Sequence, residues 1–182
     1  MEILTLTASV DCARFIEGYV DIPRFNACCA QCRGYGMTWA CPPYEFDPMD
    51  IWRGYGTVLL YAKKVIVPKE LAEKEYEKKE LARIYNDLLA PVKAELMNEL
   101  YDMEKEHPGS LALSAGGCDI CAECTRGEGL PCRCPSKMRY SVESIGGDVL
   151  KSIRDFLHEE VLWATDGRLP EHYILLGALL VK

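Results

Sequence analysis

Three cysteines recur at every third position, Cys118-x2-Cys121-x2-Cys124, and Cys132 and Cys134 follow shortly after. Thiolates at this interval can wrap one loop around a face of an iron–sulfur cubane, as in the bacterial ferredoxin run, with a later cysteine holding the remaining iron. A tetrahedral zinc site is served by paired knuckles and has no use for a third equally spaced thiol. The spacing therefore predicts a [4Fe–4S] ligand set of Cys118, Cys121, Cys124 and Cys132. Structural zinc and unliganded thiols are the plainer alternatives. Gly116, Gly117, Gly127 and Gly129 let backbone amides approach the sulfurs, which tunes a cluster's potential.

The chain has ten cysteines in 182 residues. Its opening, Met-Glu-Ile-Leu-Thr-Leu-Thr, lacks the basic region and apolar run of a secretory signal, which predicts a cytoplasmic protein. In a reducing compartment, clustered thiols read as metal ligands or redox groups rather than disulfides. The apolar stretches are too short to span a bilayer, and a net charge of −7 disfavours a phosphate-tracking nucleic-acid binder.

A second group lies upstream, in Cys28-Cys29-x2-Cys32-x8-Cys41-Pro42-Pro43. Cys28, Cys32 and Cys41, or Cys29 in place of Cys28, are candidate ligands, with Gly34 and Gly36 shaping the turn and Tyr35 and Trp39 shielding it. The spacing differs from the radical-SAM triplet. A fourth thiol from Cys12, Cys29 or Cys134 would close the cluster for electron transfer. Cys134-Pro135 is attractive because in two-cluster ferredoxins the Cys-Pro ligand serves the other cluster. Without a fourth thiol, one iron stays open to a small substrate, and the chain reads as an enzyme with Arg139 or Tyr35 positioning that substrate.

Arg133, Lys137 and Arg139 flank the second cysteine group, where they neutralise an anionic cluster or hold an anionic partner. His107, His158 and His172 lack paired ligand spacing and read as ordinary surface or core residues. Glu143 and Asp148 read as a first-turn helix acid and an N-cap.

Residues 1–56, punctuated by proline and glycine, are expected to form loops and short helices. Thr57–Val67 reads as a strand ended by Pro68. Leu81, Ile84, Leu88, Val92, Leu96 and Leu100 mark one buried face of a helix spanning 69–106, kinked or split at Pro91. The charged run 73–80 is expected on its wet surface. Strands are predicted at 111–115 and 172–181, the latter with Gly177 at a bulge or close approach, and a helix over 149–162. The fold expected is α+β or α/β, a small mixed sheet of at least three strands packed with helices. It reads as a single domain over 1–182, with 1–56 and 116–140 as metal-binding subregions.

The combination of Cys28-x3-Cys32-x2-Tyr35-Gly36-x4-Cys41-Pro42-Pro43, Gly117-Cys118-x2-Cys121-x2-Cys124, Cys132-Arg133-x-Pro135 and Arg139-x-Ser141-x-Glu143-x2-Gly146-x-Asp148-Val149 resembles a family of prokaryotic predicted metal-binding proteins. These carry a domain of unknown function. Cys12, Cys29 and Cys134 are additional to that pattern, and Tyr140 and Gly147 replace a proline and a larger apolar residue. The resemblance implies metal binding in anaerobic prokaryotes, with the seven shared cysteines as ligands, and implies no particular reaction. The leading expectation is an electron-transfer or accessory redox protein with one or two [4Fe–4S] clusters and a redox partner protein. The enzyme with an open iron and the zinc-stabilised interaction module are its alternatives.

Overall fold

The computed structural model describes residues 1–182. Its frame is a four-stranded sheet of β1 (Glu2–Asp11), β2 (Thr57–Ile66), β3 (Leu111–Leu113) and β4 (His172–Val181), in the order β1-β2-β4-β3. Every pairing is antiparallel, so of the two expected classes the fold is α+β, and the sheet is not mixed. The reason is topological. β2 and β3 run parallel to each other, but their crossover leaves a one-strand gap, and β4 fills it antiparallel to both.

β1 corrects the expectation of loops at the start of the chain. All ten of its residues pair with β2, from Glu2 opposite Ile66 to Asp11 opposite Thr57. Leu6, Ala8 and Val10 alternate toward one face, a period-two pattern diluted by Thr and Ser. The rest of the segment forms α1 (Cys12–Tyr19), α2 (Ile22–Cys29) and α3 (Pro48–Arg53). The carboxylates of Asp11, Asp21 and Asp47 accept the free amides of Arg14, Arg24 and Met49 and so start these helices.

Strand alternation divides the core. Val58, Leu60 and Ala62 of β2 face Phe15, Trp52 and Ile153, the last from α6 (Val149–Leu157). Phe15 and Trp52 are fully buried with ring centroids 5.2 Å apart, and Trp52 Nε1 donates to the Ile145 carbonyl at 2.9 Å. Truncating either ring would cost about 3–5 kcal/mol. The opposite face carries Val65, Tyr173 and Leu179 and is covered by Leu89, Val92, Leu96 and Leu100 of α5 (Lys78–Glu106).

α5 runs unbroken through Pro91. Pro91 and Asp87 are both exposed, so water can take the Asp87 carbonyl that loses its amide partner. The helical span breaks earlier, between α4 (Lys69–Ala72) and α5, where Tyr76 N donates to the Gly167 carbonyl at 2.9 Å. The charged run 73–80 therefore begins in a turn. α6 stops at Leu157, short of the expected end, because His158 adopts a left-handed φ of 55°. Asp148 caps it as expected, accepting from Lys151 N at 2.9 Å. No helix is long and apolar enough to cross a membrane.

Candidate metal centre

The segment after β3 is pinned to α5 before and after its cysteines. Lys93 reaches the Gly117 carbonyl and the Asp119 carboxylate, and Tyr101 donates its hydroxyl to the Lys137 carbonyl. Ser114 Oγ donates to the Gly116 carbonyl at 2.9 Å, turning the chain off the strand. A short 3-10 turn, Thr125–Glu128, follows Cys124 and ends at Gly129 with φ 70°; Thr125 Oγ1 closes it on the Pro131 carbonyl at 2.8 Å.

Cys118, Cys121, Cys124, Cys132 and Cys134 all line one recess, which Trp39 and Ala40 of the amino-terminal segment help to wall. Burial pushes the Cys118 thiol up, partly offset by a bond from the Ile120 backbone. Cys121 is raised by desolvation and by the neighbouring Cys134 thiol. Cys134, expected to serve the amino-terminal group, thus stands beside Cys121 in the carboxy-terminal one. One residue separates it from Cys132, and both border the same recess.

The amino-terminal group begins where α2 ends. Neighbouring helical residues point about 100° apart, so the pair divides: Cys28 is exposed and Cys29 half-buried. Burial, Glu143 and the thiols of Cys41, Cys32 and Cys28 raise Cys29 to about 11. A Cβ on Gly34 would lie 3.2 Å from Cys41 Sγ and 3.9 Å from Cys32 Sγ, so this glycine leaves room between the two sulfurs. Burial raises Cys41, and the Thr38 side chain opposes the shift by hydrogen bonding to the thiol. Pro42–Pro43 is a cis peptide, and Gly36 N donates to the Pro42 carbonyl at 2.8 Å. Tyr35 sits half-buried in the turn, its amide donating to the Cys32 carbonyl at 3.1 Å.

The two groups meet through Arg126. Its Nη1 donates to the Thr38 carbonyl at 2.7 Å and to the Cys41 carbonyl, and its Nη2 to the Pro43 carbonyl. The guanidinium lies over the Trp39 ring at 5.4 Å, and Trp39 Nε1 donates to the Leu130 carbonyl at 3.0 Å. Sequence reasoning passed over Arg126. Its one signal is that it is the only basic residue between Cys124 and Cys132.

Among the other candidates, Cys12 and Arg139 are engaged by partners outside the two thiol groups. Cys12 is fully buried in the core, its thiol donating to the Trp52 carbonyl at 3.2 Å, which removes it from either group. Arg139 is bound by Glu104 of α5 through Nε at 2.8 Å and through Nη2, and it caps the Ser136 and Met138 carbonyls. Arg133 borders the recess and donates to the Glu123 carbonyl at 3.0 Å. His107 and His172 donate to the Met103 and Glu160 carbonyls, and His158 caps α6. Glu143 is more than a helix acid: its carboxyl is raised by burial, and it acts on both Cys29 and Cys41.

A single tetrahedral ion with bonds of about 2.3 Å draws its thiolates to roughly 3.8 Å from one another. No three His, Cys, Asp or Glu side chains converge in that way. The thiols instead ring a recess in one group and flank Gly34 in the other. This soft thiol donor set is of the kind that zinc and iron–sulfur groups take.

A family model described as "Predicted metal-binding protein (DUF2284)" matches residues 20–180. No curated protein and no solved structure matches the chain.

Proposed function

The chain belongs to the DUF2284 family of predicted metal-binding proteins, and on that premise we propose that it is an iron–sulfur protein with one or two [4Fe–4S] clusters. It would pass single electrons to a partner protein or enzyme in the cytoplasm of an anaerobic prokaryote. The observation that carries this reading is the convergence of five thiols on one recess. Cys118, Cys121 and Cys124, with Cys132 or Cys134, would hold one cluster; Cys32, Cys41 and Cys29 or Cys28 would hold the other. When bound, such clusters supply one-electron couples whose potentials follow from charge, hydrogen bonding and solvent access. The chain's own contributions are the Trp39 wall, the Thr38 hydroxyl at Cys41 and the Arg126 charge between the groups.

A second reading has its own support. Cys12 is locked in the core and Cys134 stands with Cys121, so neither is at hand as a further ligand for the amino-terminal group, where Cys29 and Cys41 are half-buried and Cys28 and Cys32 exposed. A three-thiolate cluster there would leave one iron open to a small substrate.

Iron, acid-labile sulfide and zinc are to be quantified on anaerobically isolated protein, followed by dithionite titration. The proposal expects iron and sulfide in near-equal amounts and reversible bleaching. Zinc without sulfide would replace it with the zinc-stabilised module. For the open iron, the discriminating result is a spectral change on adding cyanide, which a closed cluster resists.

A further inference from the structure

We propose that Arg126 is a positioning residue that makes metal loading of the two cysteine groups interdependent, the carboxy-terminal group organising the amino-terminal one. The inference needs both groups to take up metal, and it does not depend on which metal.

Arg126 lies two residues after Cys124, in a turn fixed at both ends by backbone bonds: Gly129 N to the Arg126 carbonyl at 3.0 Å and Leu130 N to the Thr125 carbonyl at 3.1 Å. Its side chain crosses to the loop holding Cys41 and serves three carbonyls there, those of Thr38, Cys41 and Pro43. A planar guanidinium offers five N–H donors in a fixed fork, and a lysine ammonium cannot reproduce that spread. The Trp39 ring beneath the guanidinium returns to the first loop through Leu130, closing a second link in the opposite sense. Met37 and Gly127 add a packing contact, since a Cβ on Gly127 would lie 3.2 Å from Met37 Cε.

Metal bound by the carboxy-terminal thiols would immobilise residues 118–134 and with them the turn that aims Arg126. The loop carrying Cys41 then no longer bears the full ordering cost of its own metal binding, which is a coupling free energy between sites and must be reciprocal. Without Arg126, Cys41 loses the restraint on its own carbonyl while every thiol of both groups remains.

The test is metal protection of thiols, read cysteine by cysteine. Wild type, Arg126→Gln, Arg126→Lys and Cys124→Ala are loaded anaerobically with iron and sulfide, and in parallel with Co²⁺ alone. They are then alkylated with iodoacetamide and mapped by peptide mass spectrometry. In Arg126→Gln, Cys29, Cys32 and Cys41 are expected to alkylate about tenfold faster than in wild type, and by reciprocity Cys118 and Cys121 lose protection by a similar factor when both groups are loaded. Arg126→Lys should recover part of the difference. Cys124→Ala, with Arg126 intact, should expose Cys41 as well, and it carries the test even if Arg126→Gln fails to fold. Unchanged protection of Cys41 in either variant would overturn the coupling. The cobalt arm reads it independently of iron, so absence of iron–sulfur clusters in wild type would remove the proposed function and leave this inference to be judged separately.

Discussion

A Cβ placed on Gly177 would stand 2.7 Å from Leu100 Cδ1 and 2.8 Å from the Leu113 carbonyl oxygen. The middle of β4 thus meets both α5 and the neighbouring strand at closer than side-chain distance. The residue is a close approach and not a bulge, because the register with β2 runs through it without interruption.

Gly177→Ala is therefore expected to destabilise the fold. Leu100 can shift, but the Leu113 carbonyl is backbone, and overpacking of this kind costs about 1–3 kcal/mol. Urea unfolding of the anaerobic protein should show a lower midpoint with an unchanged slope.

Cys12→Ala separates structural from ligating thiols. The variant loses a buried sulfur and one of the donors to the Trp52 carbonyl, which keeps the Tyr55 amide at 3.3 Å, a cost of about 1 kcal/mol. Its metal content per folded chain should equal that of wild type, whereas Cys124→Ser should lose metal. Metal analysis together with thermal melting checks both halves.

Arg139→Ala is predicted to act on stability rather than on metal. The Arg139 and Glu104 side chains are only 15% and 13% exposed, and Glu104 also accepts the Ala112 amide. Removing the guanidinium leaves a nearly dry carboxylate, at about 3–5 kcal/mol. The double variant Glu104→Leu/Arg139→Met should recover much of that loss, as measured by chemical denaturation. A stable single variant lacking metal would instead return Arg139 to the site.

Tyr173 gives an alkaline signature. Its hydroxyl is buried without a partner, and burial, followed by repulsion from Tyr85, raises it to about 12. Because the unfolded chain releases this proton near pH 10 and the folded chain near pH 12, the folded state binds more protons across that window. Stability falls as pH rises through it. Tyr173→Phe should lose this part of the alkaline decline and, by removing an unsatisfied hydroxyl, should be neutral or slightly stabilising at pH 7. Unfolding midpoints of both proteins at pH 8 and pH 11 test the sign.

Local chemistry alone determined a good deal about this protein. β2 and β4 are runs of apolar and β-branched residues, the buried face of α5 repeats every three to four residues, and Asp148 caps α6; each signal lies within one element and is legible in the chain. The interval Cys118-x2-Cys121-x2-Cys124 likewise marks a metal loop, since adjacent ligands must be close in sequence to wrap one group. Tertiary structure decided what depends on distant partners. β1 is a strand because β2 offers ten residues of pairing, and its own pattern is too diluted by Thr and Ser to declare itself. Arg126 reaches carbonyls more than eighty residues away, and Glu104 claims Arg139 across thirty-five. The same packing sorted the thiols, burying Cys12, turning Cys29 inward from Cys28, and drawing Cys134 beside Cys121. Spacing tells which thiols can share a loop, but only the fold, by choosing which loops meet, selects those that can share a metal.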